Sequence, residues 1–519
     1  MGKRTGGGAA KKPKISPSAN DEASAILGEL FRPLPPNKRH DLNKIVEKLL
    51  HLTSNFSSEP TTPKQLFDEH MQIRAMLDQI IELEKCNLNR KIIGPRKSYV
   101  PSFSEWLEKN DAVVDGVEIT EVSESGGELG LRTTKALKVG DLTLTIPRKL
   151  MMSLDTAKNS EIGRLIEKDL MLQKMNNVAL SLHLLLEKTS PASFWEPYIN
   201  VLPQRYNTVL YFSPDDFQEL KGSPAYEDAL KQYKYVARQY AYFSTKFQNT
   251  MIKDYFTFEE YRWAVSTVMT RQNSVPSETG EITESGDEVH VNTLIPFWDM
   301  ANNSVGVPEI GTDFDKDTQA VSCMANREFS SGEEFTIFYG KRSNLDLLVH
   351  NGFVLENNPF DTLVIKLGIS KNDQLARSKY DLLAKLVVSP HGHFTLSPKP
   401  ADDSSLDPNL FAFLRVMNMS TEEQIGHWSE RAKDLLEANC EDVELDQKSI
   451  NYLLTRCTLL LKSYPTSLEE DVGVLSGEMD ASDGRKMSTR RRMCIVLRKS
   501  EKEILNDTIK MCTDRLAMM

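Results

Sequence analysis

The sequence predicts an α+β chain in which short β-strands with helical insertions are followed by an all-helical C-terminal domain. Three observations carry that prediction. Strand-length runs recur at 117–122, 131–134, 142–147, 291–298, 320–325 and 334–339, and Val117-Glu118-Ile119-Thr120-Glu121-Val122 alternates with the period of two of a half-buried strand. Apolar residues at helical spacing interrupt these runs at 176–187 and again at 258–270. From about residue 345 the period is mostly helical, over 410–417, 421–438, 448–463 and a charged amphipathic stretch from Arg485 to the C-terminus.

The elements fall in order along the chain. Residues 1–30 join Gly6-Gly7-Gly8 to Lys3, Arg4, Lys11, Lys12 and Lys14 with little to bury, so a disordered basic tail is expected. Residues 31–93 are expected to form N-terminal helices, because Leu66, Met71, Ile73, Met76, Ile80 and Leu83 keep helical spacing. Residues 94–345 hold the strands, with Gly126, Gly127 and Gly130 marking a turn and the Ser-, Glu- and Gly-rich 277–289 reading as a surface insertion. Residues 346–519 complete the chain as a second, helical domain. A total of 519 residues requires this division, since one core stops growing near roughly 250–300 residues.

Composition excludes several functions. The 63 Lys and Arg against 74 Asp and Glu leave a net charge of −11, which gives no field to hold a polyanion, so nucleic acid is not an expected partner. No run approaches the roughly 20 apolar residues that span a bilayer, and the N-terminal stretch is basic rather than apolar, so no membrane is expected and the cytoplasm is the expected compartment. Lys11-Lys12-Pro13-Lys14 makes the nucleus the second candidate. The six cysteines include no C-x-x-C pair and the nine histidines form no metal-spaced cluster, so no metal is expected. His391-Gly392-His393 reads as a loop feature, and the basic run around Arg490-Arg491-Arg492 and Arg498 as a solvated helix face.

Three blocks bring polar side chains to the ends of apolar elements, where rigid scaffolds usually build sites. They are Arg271-Gln272-Asn273, Leu294 to Asn303 (LIPFWDMANN), and Glu333 to Gly340 (EEFTIFYG). On spacing alone, Trp298 and Tyr339 read as core aromatics and the Asn pair as a turn.

In combination the blocks resemble a known family. Glu128-Leu129-Gly130-Leu131, then Trp298 to Asn302, then Glu333 to Gly340 are similar to the catalytic core of SET-domain methyltransferases. The arrangement of N-terminal helices, interrupted SET core and helical C-terminal domain resembles the class that includes the Rubisco large-subunit lysine methyltransferase. Five further blocks, Ser193 to Ile199, Arg238 to Phe243, Tyr261 to Val265, Val268 to Asn273 and Phe338 to Asn344, resemble those of the animal actin-histidine N-methyltransferases in the same order. The likeness spans about residues 65 to 510.

The resemblance implies S-adenosyl-L-methionine as cofactor, held by Arg96, Gly127, Glu128, Leu129, Asn177, Arg271, Asp299, Met300, Ala301, Asn302, Asn303 and Asn351. Guanidinium groups suit the carboxylate of its tail. It also implies an acceptor pocket with Tyr339, Asn273 and Trp298 as catalytic residues, Ile337 as a further wall, the Asp299 carbonyl accepting a hydrogen bond and Arg342 holding the substrate chain. Two positions depart from the family pattern: its usual Asn-His pair is Asn302-Asn303 here, and Leu129 stands where an aromatic is expected. The implied reaction is methylation of the distal ring nitrogen of a histidine in actin by a monomer. A lysine methyltransferase acting on a histone or cytosolic protein, and a non-catalytic SET-fold binding protein, are the alternatives. A magnitude favours histidine: lysine, with a pKa of about 10.4, must lose a proton at a cost of roughly 4.6 kcal/mol at pH 7, whereas imidazole near 6.5 is already mostly neutral.

Overall fold

The computed structural model describes residues 33–55, 62–85, 94–122, 128–190, 192–398, 407–438, 440–478 and 486–519. The expected tail over 1–30, the glycine turn at Gly126 and Gly127, and Arg485 lie outside these. Among the described residues no helix is long and apolar enough to cross a membrane.

Helix starts follow the sequence. The Pro63–Glu84 helix opens on a reciprocal cap in which the Gln65 N–H donates to the Thr62 hydroxyl and the Thr62 N–H to Gln65 Oε1. It buries His70, Ile73, Leu77 and Ile80 and packs with Pro36–Ser54 on the long Ala225–Phe247 helix. The Phe258–Arg271 helix starts at Thr257, carries Glu259 and Glu260 in its first turn and ends on Arg271, as the helix dipole favours. Its C-terminus delivers Arg271, Gln272 and Asn273 to one place.

Three small sheets assemble around these helices. β1 (Val113–Val114), β4 (Leu142–Pro147), β10 (Ala320–Ala325) and β9 (Ile310–Asp315) form the first, in that order. β2 (Val117–Glu121), β3 (Leu129–Thr133), β11 (Glu334–Ile337) and β8 (Asn302–Asn303) form the second. β5 (Met152–Ser153), β7 (His290–Leu294) and β6 (Asn273–Pro276) form the third. Pairings are antiparallel except β8 with β11, which is parallel with Thr336 opposite Asn302 and Ile337 opposite Asn303.

One apolar core gathers residues from Leu34 to Val349, and a second gathers Leu363 to Cys512. The Thr489–Met518 helix serves both, giving Met493, Cys494 and Leu497 to the first and Ile504, Leu505 and Cys512 to the second. The C-terminal region is helical apart from β12 (Leu363–Gly368) and β13 (His391–Leu396), one antiparallel pair. His391 and His393 therefore sit in a strand and not in a loop, with His393 opposite Lys366.

The basic run is only in part a solvated face: Lys486 and Arg492 are exposed and Arg490 is half-buried. Arg491 and Arg498 are buried, both paired to Glu219, and Arg498 also meets Asp471, which takes Lys502 as well. Unpaired, such charges would be costly to bury. Acids from distant segments reach them, which helical periodicity does not reveal.

Glu84 makes a testable contribution to stability. Its buried carboxyl accepts hydrogen bonds from Tyr240 and from the Phe258 N–H. Burial pushes its pKa up from 4.5 to about 8, against the lowering effect of these bonds. A raised folded-state pKa gives stability that is fully present below about 4.5 and is lost as pH rises through about 8. The melting temperature of Glu84→Gln relative to wild type is therefore expected to climb between pH 5 and pH 8. A pH-independent difference in thermal melts would contradict this assignment.

Candidate functional site

The ends of the Phe258–Arg271 helix, β7 and β11 converge on a cavity of about 920 Å³. Of the residues the sequence singled out, Asn177, Arg271, Asn273, Trp298, Asp299, Ile337, Tyr339, Arg342 and Asn351 line it. Local backbone explains the delivery. β7 ends at Leu294, and Phe297 adopts φ 70°, a left-handed value rare for an aromatic residue. That bend starts the Trp298–Met300 turn and directs it into the cavity wall. On the opposite side β11 stops at Ile337, two residues before the predicted end, so Tyr339 leaves the ladder.

Tyr339 is fixed at both ends. Its hydroxyl donates to the Ala301 carbonyl at 2.9 Å, and its N–H donates to Asn303 Oδ1 at 2.9 Å. Burial pushes its pKa up to about 12, with Arg271 pulling the other way. The phenol therefore stays protonated at neutral pH.

Behind it lies a buried polar layer. Arg271 Nη1 donates to the Asp299 carbonyl at 2.6 Å and stands 3.6 Å from its carboxylate, which also accepts the Tyr198 hydroxyl. Burial raises the Asp299 pKa while Arg271 opposes the rise. Arg96 donates through Nε to the Val201 carbonyl at 2.8 Å, and burial, then the neighbouring Arg271, lowers its pKa to about 10. Among the described residues, Arg96 Nη2, Arg271 Nε and Asp299 Oδ1 are buried without a hydrogen-bond partner. Arg96 does not itself line the cavity, whereas Arg271 and Asp299 do. Open cationic donors and an open anionic acceptor in this layer suit a group carrying both a carboxylate and an ammonium.

The other expected residues are placed as follows. Glu128 stands near Arg96, and Leu129 is buried at the start of β3. Met300 and Ala301 are buried, with Met300 Sδ 3.8 Å from Arg271 Nη1. Asn302 is exposed and donates to Glu334 Oε1 at 2.8 Å, and neither it nor Asn303 lines the cavity. The Asp299 carbonyl, expected to face substrate, already accepts from Arg271 and keeps one lone pair. Arg342 spends two N–H groups on the Tyr339 carbonyl and on Asn351 Oδ1. Asn273 Oδ1 accepts from the Ser274 N–H, and Trp298 Nε1 donates to the Thr312 hydroxyl.

Sequence reasoning missed Tyr198, Tyr206 and Gln232. Tyr198 lies inside the Ser193 to Ile199 block, whose resemblance implies no role for it, and Tyr206 bonds the Thr267 hydroxyl beside the arginines. Gln232 lines the cavity from the Ala225–Phe247 helix, where Ala229, Leu230, Tyr233, Val236, Ala237 and Tyr240 do carry a helical period.

Comparison with known proteins defines the family. The actin-histidine N-methyltransferase of Homo sapiens is 40% identical over 484 residues, covering 89% of this chain and 77% of that protein. The Xenopus tropicalis protein of the same name is 39% identical over 486 residues, with 91% and 79% covered. The chain belongs to the actin-histidine N-methyltransferase family. Residues 370–505 match the family model described as Rubisco LSMT substrate-binding, which places a relative of that module in the helical C-terminal region of this family member. The SET domain of LSMT bound to lysine and AdoHcy superposes with a TM-score of 0.66 at 20% identity, covering 81% of this chain and 93% of that one. Rubisco LSMT bound to AdoMet superposes with a TM-score of 0.64 at 20% identity, covering 81% and 92%. The fold is thus of the expected SET type with a helical C-terminal region.

Proposed function

We infer that the chain is an S-adenosyl-L-methionine-dependent protein-histidine N-methyltransferase that modifies the distal ring nitrogen of a histidine in actin. The observation that carries this reading is the placement of Tyr339: its hydroxyl donates to Ala301, burial pushes its pKa up to about 12, and Asn273 and Trp298 share its cavity. A phenol so held is no base at neutral pH, which suits an acceptor that arrives with a free lone pair. Neutral imidazole does, whereas a lysine must first be deprotonated at roughly 4.6 kcal/mol.

The residues divide the work. Arg96 and Arg271 suit the cofactor's carboxylate and Asp299 Oδ1 its ammonium, each through an atom otherwise unpartnered. Bound there, S-adenosyl-L-methionine supplies an electrophilic methyl group on a sulfonium. Asn273 and the remaining lone pair of the Asp299 carbonyl fix the imidazole tautomer, so that the distal nitrogen carries the lone pair. Trp298, Ile337 and the Tyr339 ring hold the imidazole plane and exclude water. Arg342, at the mouth, has N–H groups left for the substrate chain. The remaining assignments, Gly127, Glu128, Leu129, Asn177, Met300, Ala301 and Asn351 toward the cofactor, belong to the same reading. So do a core over 94–345, a substrate-presenting domain over 346–519, and a monomer working in the cytoplasm and, secondarily, the nucleus.

The test is to incubate purified protein with S-adenosyl-L-methionine and monomeric actin, digest the product and map the methyl group by mass spectrometry. One singly methylated histidine is expected. Methyl on lysine alone would overturn the reading in favour of a lysine enzyme, and no cofactor binding in calorimetry would favour a non-catalytic scaffold.

A further inference from the structure

Asn303 stands where the family pattern has histidine, a position expected to act on the cofactor. Its geometry gives it different work. In β8 it pairs with Ile337, the last residue of β11, and the ladder closes with the Ser304 N–H donating to the Ile337 carbonyl at 2.8 Å. Beyond that bond the chain leaves the sheet and turns at Gly340, whose φ of 94° a side chain would strain. The Tyr339 N–H therefore has no strand partner. Asn303 Oδ1 reaches past the end of the ladder and accepts it at 2.9 Å, while the Ala301 carbonyl holds the hydroxyl of the same tyrosine at 2.9 Å. One segment, 301–304, thus grips residues 337–339 at three points, and the middle grip is a side chain.

We propose that Asn303 is a positioning residue for Tyr339, acting through the tyrosine's backbone amide rather than on the cofactor. This rests on the reading of Tyr339 as a wall of the acceptor channel. An acceptor oxygen on a short side chain is the requirement, which aspartate meets and leucine, of similar size, does not. A tyrosine released at its amide swings the ring that orients the acceptor, and a misplacement of this kind lowers turnover while leaving cofactor binding intact.

The test compares Asn303→Leu and Asn303→Asp with wild type in two measurements. The first, hydrogen–deuterium exchange of the Tyr339 amide, needs neither cofactor nor activity. Exchange at least tenfold faster in N303L and near wild type in N303D is expected, and wild-type protection in N303L would overturn the hydrogen bond as the anchor. The second is kcat on actin alongside the Kd for S-adenosyl-L-methionine. We expect kcat to fall about tenfold in N303L with Kd within about threefold, and N303D to recover kcat. A Kd weakened tenfold with kcat unchanged would assign Asn303 to the cofactor instead. N303D losing kcat as N303L does would leave side-chain volume rather than the acceptor as the cause. If wild type itself fails to methylate actin, the exchange result still decides the anchor, and only the functional reading falls.

Discussion

Replacing Arg271 by Ala is expected to lower stability by about 3–5 kcal/mol and to weaken S-adenosyl-L-methionine binding at least a hundredfold. Both effects come from burial. The Asp299 side chain is 1% exposed and the Arg271 side chain 13%. Without the guanidinium, Asp299 keeps only the Tyr198 hydroxyl as a side-chain partner, and a carboxylate whose pKa burial has already raised is driven further toward its neutral form. The neutral acid no longer offers an anionic acceptor to an ammonium. The same substitution removes one of two guanidinium groups available to a carboxylate and frees the Asp299 carbonyl from its fixed donor. Lysine does not repair the loss, since one ammonium cannot reach carbonyl, carboxylate and ligand with the geometry of a fork. Thermal melts and titration calorimetry measure the two effects separately. A stable Arg271→Ala protein with unchanged cofactor affinity would remove the polar layer from the binding site.

Asn273→Phe is expected to cut histidine methylation about a hundredfold while leaving cofactor affinity within about threefold. Asn273 opens β6 opposite Thr293, and its Oδ1 accepts the next residue's N–H, which fixes the amide plane against the cavity. A ring nitrogen that loses this polar partner is left unsatisfied against the cavity wall, and such omissions are penalised far more heavily than a change of apolar contact. The phenyl ring also narrows the channel beside Trp298. Because Arg271 lies two residues away on the preceding helix end, calorimetry on the same variant shows whether the helix terminus has moved. A variant with wild-type turnover would exclude Asn273 from tautomer selection.

Much of this was legible in the sequence where apolar residues repeat without a break. The Asn176–Thr189 helix buries every residue from Val178 to Leu185 and announces itself. The Ala225–Phe247 helix carries its period more faintly because its buried face is made largely of Tyr and Ala, including Tyr226, Tyr233, Tyr240, Ala229 and Ala237. Edge strands gave little signal: β9 buries only Ile310 fully, and β6 is four residues long. At the site, spacing and family resemblance found Asn273, Trp298, Asp299 and Tyr339. They did not reveal that Asn302 turns outward to Glu334 or that Asn303 holds the Tyr339 amide, since both depend on a parallel pairing between segments about 35 residues apart. The buried arginines of the C-terminal helix escaped for a related reason, because Glu219 lies in a distant part of the chain.

The central claim is that this site takes an acceptor that is already unprotonated. Its most direct test is to compare initial methylation rates at pH 7 for actin and for an actin variant whose modified histidine is replaced by lysine. A site whose tyrosine is held protonated should favour histidine by at least about a hundredfold, because lysine pays the deprotonation cost of roughly 4.6 kcal/mol before reaction. Equal or faster methylation of the lysine variant would show that the site deprotonates its acceptor, and would contradict the account.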